Sequence, residues 1–386
     1  MRTRLHSPEP QPVTFVELFF DLVFVFAVTE MTVLTAEHLD PGGVGRCAVL
    51  FWLIWWAWTQ FTWTLSPADT RHTVVQALTL TATATAFVMA ASIPDAFGDE
   101  ALWFVLPYIL IRALGLGLQV LLDREVAGDV GISMAWVYVS VGGLAVVLLG
   151  SFVDDPARSW VWAVAIAIDL VAAGLSGRNA VWDLDAGHFS ERHGLFVIIA
   201  LGESLIVAGT TVAAEERTTD LVVATGGVLV VACLLWWTYF GQLKEAMEEA
   251  FADVDAERLG PTARDAYSLG HFPLICGIIG FAVAVKEIVH HPDEPMPGDV
   301  VVALAVGVGL FVTASAFAFW RTTGRLLVPR LVAIGLTLVG VALVADADPI
   351  WPLAAIAVGL LVIVVTEDLA EVGDADELGD AATTID

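Results

Sequence analysis

Six side chains in this chain could bind or pass a proton or a small ion, and all six sit in apolar surroundings. Glu17 and Asp21 stand four residues apart in FVELFFDLVFVFAVTE, the otherwise almost wholly apolar run from Phe15 to Glu30. That spacing puts both carboxylates on one face of a helix, one turn apart. Arg112 falls near the middle of LWFVLPYILIRALGLGLQVLL, Asp169 within VWAVAIAIDLVAAGLSG, and Glu203 beside Gly202 in HGLFVIIALGESLIVAG. His271 opens a further apolar run and could join a proton relay near Glu203 or bond an adjacent carbonyl. Carboxylates that bind and release H⁺ or Na⁺, with arginine as fixed counter-charge, are the parts of an ion-coupled pathway. The same residues would also serve a salt-bridge network that only fixes helix register.

The price of putting them there is known. An uncompensated Asp near the centre of a membrane helix costs about 3 kcal/mol on insertion scales. At 1.5 Å rise per residue, Asp21 would lie roughly 10 Å into a bilayer and Glu203 about 12 Å into its span. A mid-span arginine is too deep to snorkel, so Arg112 must face protein or water. One cation and three acids (Asp21, Asp169, Glu203) at similar depth predict a buried polar cluster, with Glu17 nearer the interface. His188, Glu191 and His193 read as hydrated loop residues beside Arg192 rather than metal ligands.

The elements that hold these residues must be membrane helices. Of 386 residues, 58% are hydrophobic and 16% charged, with a mean hydropathy of +0.78, so the bilayer must be the solvent. Apolar runs near 20 residues give twelve candidate spans, about 15–37, 45–65, 72–92, 102–122, 131–151, 159–177, 193–213, 220–243, 266–289, 299–320, 326–345 and 350–366. The expected fold is therefore an all-α polytopic transmembrane bundle. A polar segment, 1–14, precedes it, and an acidic, solvated and disordered tail, 367–386, follows it. The charged stretch 244–265 reads as a surface helix. A shift of 182 residues lays Asp21 on Glu203, Trp55 on Trp237 and Gln60 on Gln242, which suggests two parallel six-helix repeats, 15–177 and 193–366.

Charge sets expectations for orientation and partners. With the N-terminus cytoplasmic, twelve Lys and Arg fall on inside segments and four on outside segments, which predicts both termini inside a cytoplasmic membrane. The net charge of −27 leaves no basic stripe for nucleic acid. Acidic surfaces stay hydrated at high salt, and a salt-rich cytoplasm is one setting for such a balance. The three cysteines, Cys47, Cys233 and Cys276, lie in or beside apolar runs and read as small buried residues. HisGluxxHis, CysxxCys and P-loop patterns are absent, so neither metal nor cofactor is expected. The expected partners are the lipid bilayer and a small ion or molecule; oligomeric state is not legible.

Three stretches carry a family resemblance. ELFFDLVFVFAV near the N-terminus, HGLFVIIALGESLIVAG (His193–Gly209) and GHFPLICGIIGFAVA (Gly270–Ala284) resemble segments of the bacterial low temperature requirement protein A family. In that family the first motif often ends in Gln, where this chain has Glu30. The resemblance implies a polytopic membrane protein and leaves the chemistry open. The leading expectation is an ion- or proton-coupled transporter using Asp21, Arg112, Asp169 and Glu203. Its rivals are a membrane stress-adaptation scaffold and a membrane-embedded enzyme acting on a lipid or quinone.

Overall fold

The computed structural model describes residues 4–7, 9, 11–127, 131–176, 184–214 and 216–383; side chains of 126, 127, 131–133, 135, 175, 176 and those after 369 are left aside. Arg2 and Arg178, both counted as inside charges, fall outside the described residues. Every regular element among them is helical. In chain order these are α1 (Phe15–Ala36), α2 (Pro41–Leu65), α3 (Thr73–Ala91), α4 (Leu102–Ala127), α5 (Gly131–Gly150), α6 (Ala157–Ser176), α7 (Ala186–Ala214) and α8 (Thr219–Phe240). Two short helices, α9 (Leu243–Ala252) and α10 (Ala256–Thr262), lead into a π-helix (Ala263–Leu269). Then come α11 (His271–His290), α12 (Gly298–Thr323), α13 (Val328–Leu343) and α14 (Ile350–Thr383).

Nine helical segments of the described residues are long and apolar enough to cross a membrane, and shorter apolar helices cover Trp136–Gly150 and Val328–Leu343. The protein is an all-α polytopic membrane bundle. The remaining long helix, α2, is less apolar because it does not face lipid. Its residues from Leu50 to Thr62 are all buried, so Trp, Thr and Gln there meet protein partners.

The chain divides into two compact units whose boundary runs within α7, α9 and α11. The first comprises Met1–Glu203 and Glu248–Phe272. In it α2 packs against α1, α4 and α6, while α3 lies on α1 and α4, and α5 on α4 and α6. The polar N-terminal segment is tied across helix ends: Leu5 N–H donates to Glu125 Oε2 (2.8 Å), and Ser7 N–H to the Pro67 carbonyl (2.9 Å). The second unit, Ser204–Met247 with Pro273–Asp386, packs α8 against α12 and α14, and α13 against α12 and α14. Within it α11 and α12 touch backbone to backbone. A Cβ on Gly277 would come within 2.6 Å of the Gly307 carbonyl oxygen, so only glycine permits this approach.

Two stretches depart from the expected organisation. The charged segment 244–265 is three helical pieces rather than one, because Val254 and Asp255 interrupt it and the π-helix follows directly. The backbone from 367 to 383 continues α14 as helix where acidity suggests a disordered tail. That stretch has no proline, and Ala, Glu and Leu sustain a helix well.

Candidate functional site

The site forms where the first turns of α1 and α7 run side by side. Thr14 caps α1, its backbone N–H and hydroxyl both donating to Glu17 Oε2 at 3.0 and 2.8 Å. Glu17 Oε1 is thereby turned toward α7, where His188 Nε2 lies 2.9 Å away and Arg192 Nη1 3.7 Å away. One turn further along, Arg192 Nη2 is ion-paired with Asp21 Oδ1, and Trp58 of α2 donates its indole N–H to the same oxygen at 2.7 Å. Two acids at i and i+4 on α1 thus face a histidine and an arginine at i and i+4 on α7. All four side chains are fully or almost fully buried. The Arg192 guanidinium also stacks near the Phe20 and Trp58 rings, 6.0 and 5.7 Å from their centroids.

Several polar atoms of this site have no hydrogen-bond partner among the described residues, notably Asp21 Oδ2, Arg192 Nε and His193 Nε2. His193 is held by its Nδ1, which donates to the Phe189 carbonyl at 2.9 Å. Its ring lies 5.0 Å from Trp58 and 5.2 Å from both Tyr267 and His271. The π-helix supplies Tyr267, whose hydroxyl donates to Ser190 Oγ at 3.2 Å and whose ring stacks on His271. His271 Nδ1 in turn donates to the Ala266 carbonyl at 3.0 Å.

Of the residues singled out in the sequence, the structure brings together Glu17 and Asp21, with His271 nearby through His193. Arg112 and Asp169 make a separate centre. Arg112 Nη2 and Nη1 donate to Asp169 Oδ1 and Oδ2 at 3.1 and 3.4 Å, and Nη1 also to Tyr108 Oη at 2.9 Å. Gln60 of α2 donates to the Arg112 carbonyl at 3.0 Å, a reach that Gly115 permits, since a Cβ there would lie 2.8 Å from Gln60 Nε2. Glu203 is buried at the edge of the first unit and enters none of the hydrogen bonds or ion pairs among the described residues. The expected cluster of one cation and three acids is therefore divided.

Four buried polar side chains were not legible. His188, Arg192 and His193, expected in a hydrated loop, are buried because α7 begins at Ala186, seven residues before its apolar run. The signal was their i, i+4 spacing, the complement of Glu17 and Asp21. Arg330, expected at a membrane edge, is also buried: it pairs with Glu367 Oε1 at 3.0 Å and donates to the Thr238 carbonyl and Ser315 Oγ. Among the described residues no group of three His, Cys, Asp or Glu side chains could hold a metal ion.

The geometry brings the three motif stretches into one place, since α1 meets the start of α7, and α7 meets His271 through His193. A protein of Rhizobium meliloti (strain 1021), RA0937, is 27% identical over 311 residues, covering 75% of this chain and 73% of that one. No solved structure matches. The profile of the bacterial low temperature requirement A protein (LtrA) matches residues 12–365, nearly the whole chain, and the protein belongs to that family.

Proposed function

We propose that this membrane protein is a proton-coupled carrier whose coupling centre is Glu17, Asp21, Arg192 and His188. The observation that carries this reading is a charge count. Two carboxylates share one guanidinium in a fully buried site. With His188 neutral the group bears one excess negative charge, and one proton on a carboxyl or on the imidazole makes it neutral. Burying an unbalanced charge costs several kcal/mol, so burial itself favours the protonated group. Opening the site to water relieves that cost and lets the proton leave. The protons belong to the group as a whole, because carboxylates this close titrate together.

Arg112 and Asp169 are one positive and one negative charge in bidentate contact. They are balanced without a proton, and we assign them to holding α4 against α6. Both termini are placed on the cytoplasmic side of the cell membrane, following the Lys and Arg distribution. The test is flux in proteoliposomes under an imposed pH gradient, screened over small ions and organic acids. Asp21→Asn and Glu17→Gln should each abolish gradient-driven uptake while the protein still inserts. Asp169→Asn should lower stability but leave the folded fraction active. Undiminished uptake in the Asp21→Asn, Glu17→Gln double variant, or uptake driven only by a sodium gradient, would overturn the proton-coupled reading.

A further inference from the structure

A cavity of about 60 Å³ lies within the first unit, beneath the π-helix, near the C-terminal ends of α2, α4 and α6. At about 10–15 Å³ of such space per water molecule, it holds roughly four to six waters, which suits a ligand of a few heavy atoms and is too little for a whole lipid. Trp56, Trp63 and Trp136 form its walls, and Gln60, Arg264 and Ser268 bring polar groups to it. π-Helical turns are rare and concentrate at functional sites, and this one delivers two of those three groups.

The polar atoms specify what would fit. Gln60 is 4% exposed, and its amide N–H is committed to the Arg112 carbonyl, which fixes the orientation of the amide. Its Oε1 is left as a buried acceptor with no partner, and so needs a donor. Arg264 supplies donors opposite in chemistry, but its charge is already met by Asp265 at 2.7 Å. The Trp63 indole N–H is taken by Ser268 Oγ at 2.8 Å. One orphan acceptor, one guanidinium in a neutral ion pair and indole walls describe a neutral ligand with a single donor hydrogen, a carbonyl oxygen and a short apolar body.

We propose that this cavity binds a small carboxylic acid in its protonated form. The acid's O–H donates to Gln60 Oε1, its carbonyl oxygen accepts from Arg264, and its alkyl carbon meets the tryptophan faces. One proton from solution enters with each acid molecule, and no bond within the acid is made or broken. An amide would bring two donor hydrogens to one free acceptor and fits less well. The site supplies a substrate class for the proposed carrier, yet equilibrium binding does not depend on coupling, so the two readings fail separately.

The test is calorimetry on the full chain in nanodiscs, titrated with propionate and, separately, with propionamide and tetramethylammonium. Conditions near pH 5, close to the ordinary carboxyl range of about 4, and near pH 7.5 separate acid from anion. The other charged groups near the cavity are Asp265, beside Arg264, and Asp123, which accepts from Gln119 at the cavity edge. Propionate should bind saturably and more tightly near pH 5, and Arg264→Gln should weaken it about tenfold or more through loss of one charge-assisted hydrogen bond. Should Arg264→Gln fail to fold, Ser268→Ala with Trp136→Leu tests the same cavity from the hydroxyl and wall sides. Absence of saturable propionate binding at either pH, equal affinity for propionamide, preference for tetramethylammonium, or indifference to all cavity variants would overturn the assignment.

Discussion

At the scale of single residues, the distinction that matters is between balanced and unbalanced buried charge. Arg112 and Asp169 cancel; Glu17 and Asp21 outnumber Arg192. Removing one member of a buried pair leaves the other uncompensated and typically costs about 3–5 kcal/mol. Arg192→Leu should therefore be at least as destabilising as Arg112→Leu, because it strands two acids rather than one. Adding Asp21→Asn to Arg192→Leu should restore part of the loss, and a thermal-melt double-mutant cycle in detergent measures the coupling. Half-buried charge outside the helices behaves differently. Asp155 is pulled upward by partial burial, but hydrogen bonds from Ser159 and Arg46 outweigh this and hold its carboxyl below the ordinary 3.8. Because the folded value is the lower one, its contribution is complete well above 3.8 and fades as pH falls through the folded value. Melting of Asp155→Asn should thus differ from the parent at neutral pH and converge with it in acid.

At the scale of elements, α2 organises the first unit. It donates Trp58 to Asp21, Gln60 to the Arg112 carbonyl, and Trp55 and Trp63 to Ser268 of the π-helix. One helix thus touches the proposed proton centre, the balanced pair and the cavity. A tryptophan N–H is expensive to leave unpaired in lipid, and the indoles of Trp55, Trp58 and Trp63 have each found an acceptor, whereas Trp52 Nε1 is buried without one among the described residues. In the second unit the α11–α12 contact depends on glycine. Gly307→Leu would drive a side chain into the backbone at Phe281 N, 2.7 Å from the built Cβ. Overpacking of this kind costs roughly 1–3 kcal/mol or more, and the variant should melt earlier while a leucine at the open Gly117 should not.

At the scale of the molecule, α1 and α7 enter the site in the same direction, since His188 meets Glu17 and Arg192 meets Asp21 in parallel register. Parallel neighbours begin on the same side of a membrane, in accord with the proposed reading in which α1 to α6 cross it an even number of times between them. With the N-terminus on the cytoplasmic side, as proposed from the Lys and Arg distribution, reporter fusions after residues 95 and 295 should report the outside, and one after residue 250 the inside. A fusion after 250 that reported the outside would require an odd number of crossings before it, and would contradict the register of the ion pairs as well as the charge distribution.

The sequence by itself determined the class of the protein and the identity of its embedded acids. Apolar composition leaves a bilayer as the only adequate solvent, and a carboxylate in a 20-residue apolar run is conspicuous wherever the run ends up. Pairing was another matter. Asp21 and Arg192 are 171 residues apart, and no local rule says which helix faces α1. Arg192 was hidden because HFSERH looks like a hydrated loop until α7 is seen to start before it. Tertiary packing decided that these polar residues line up one turn apart against α1, that Arg112 keeps Asp169 to itself, and that the π-helix turns Arg264 and Ser268 into a tryptophan-walled cavity. Composition reports how much charge is buried; only the adjacency of helices reports whether that charge is balanced.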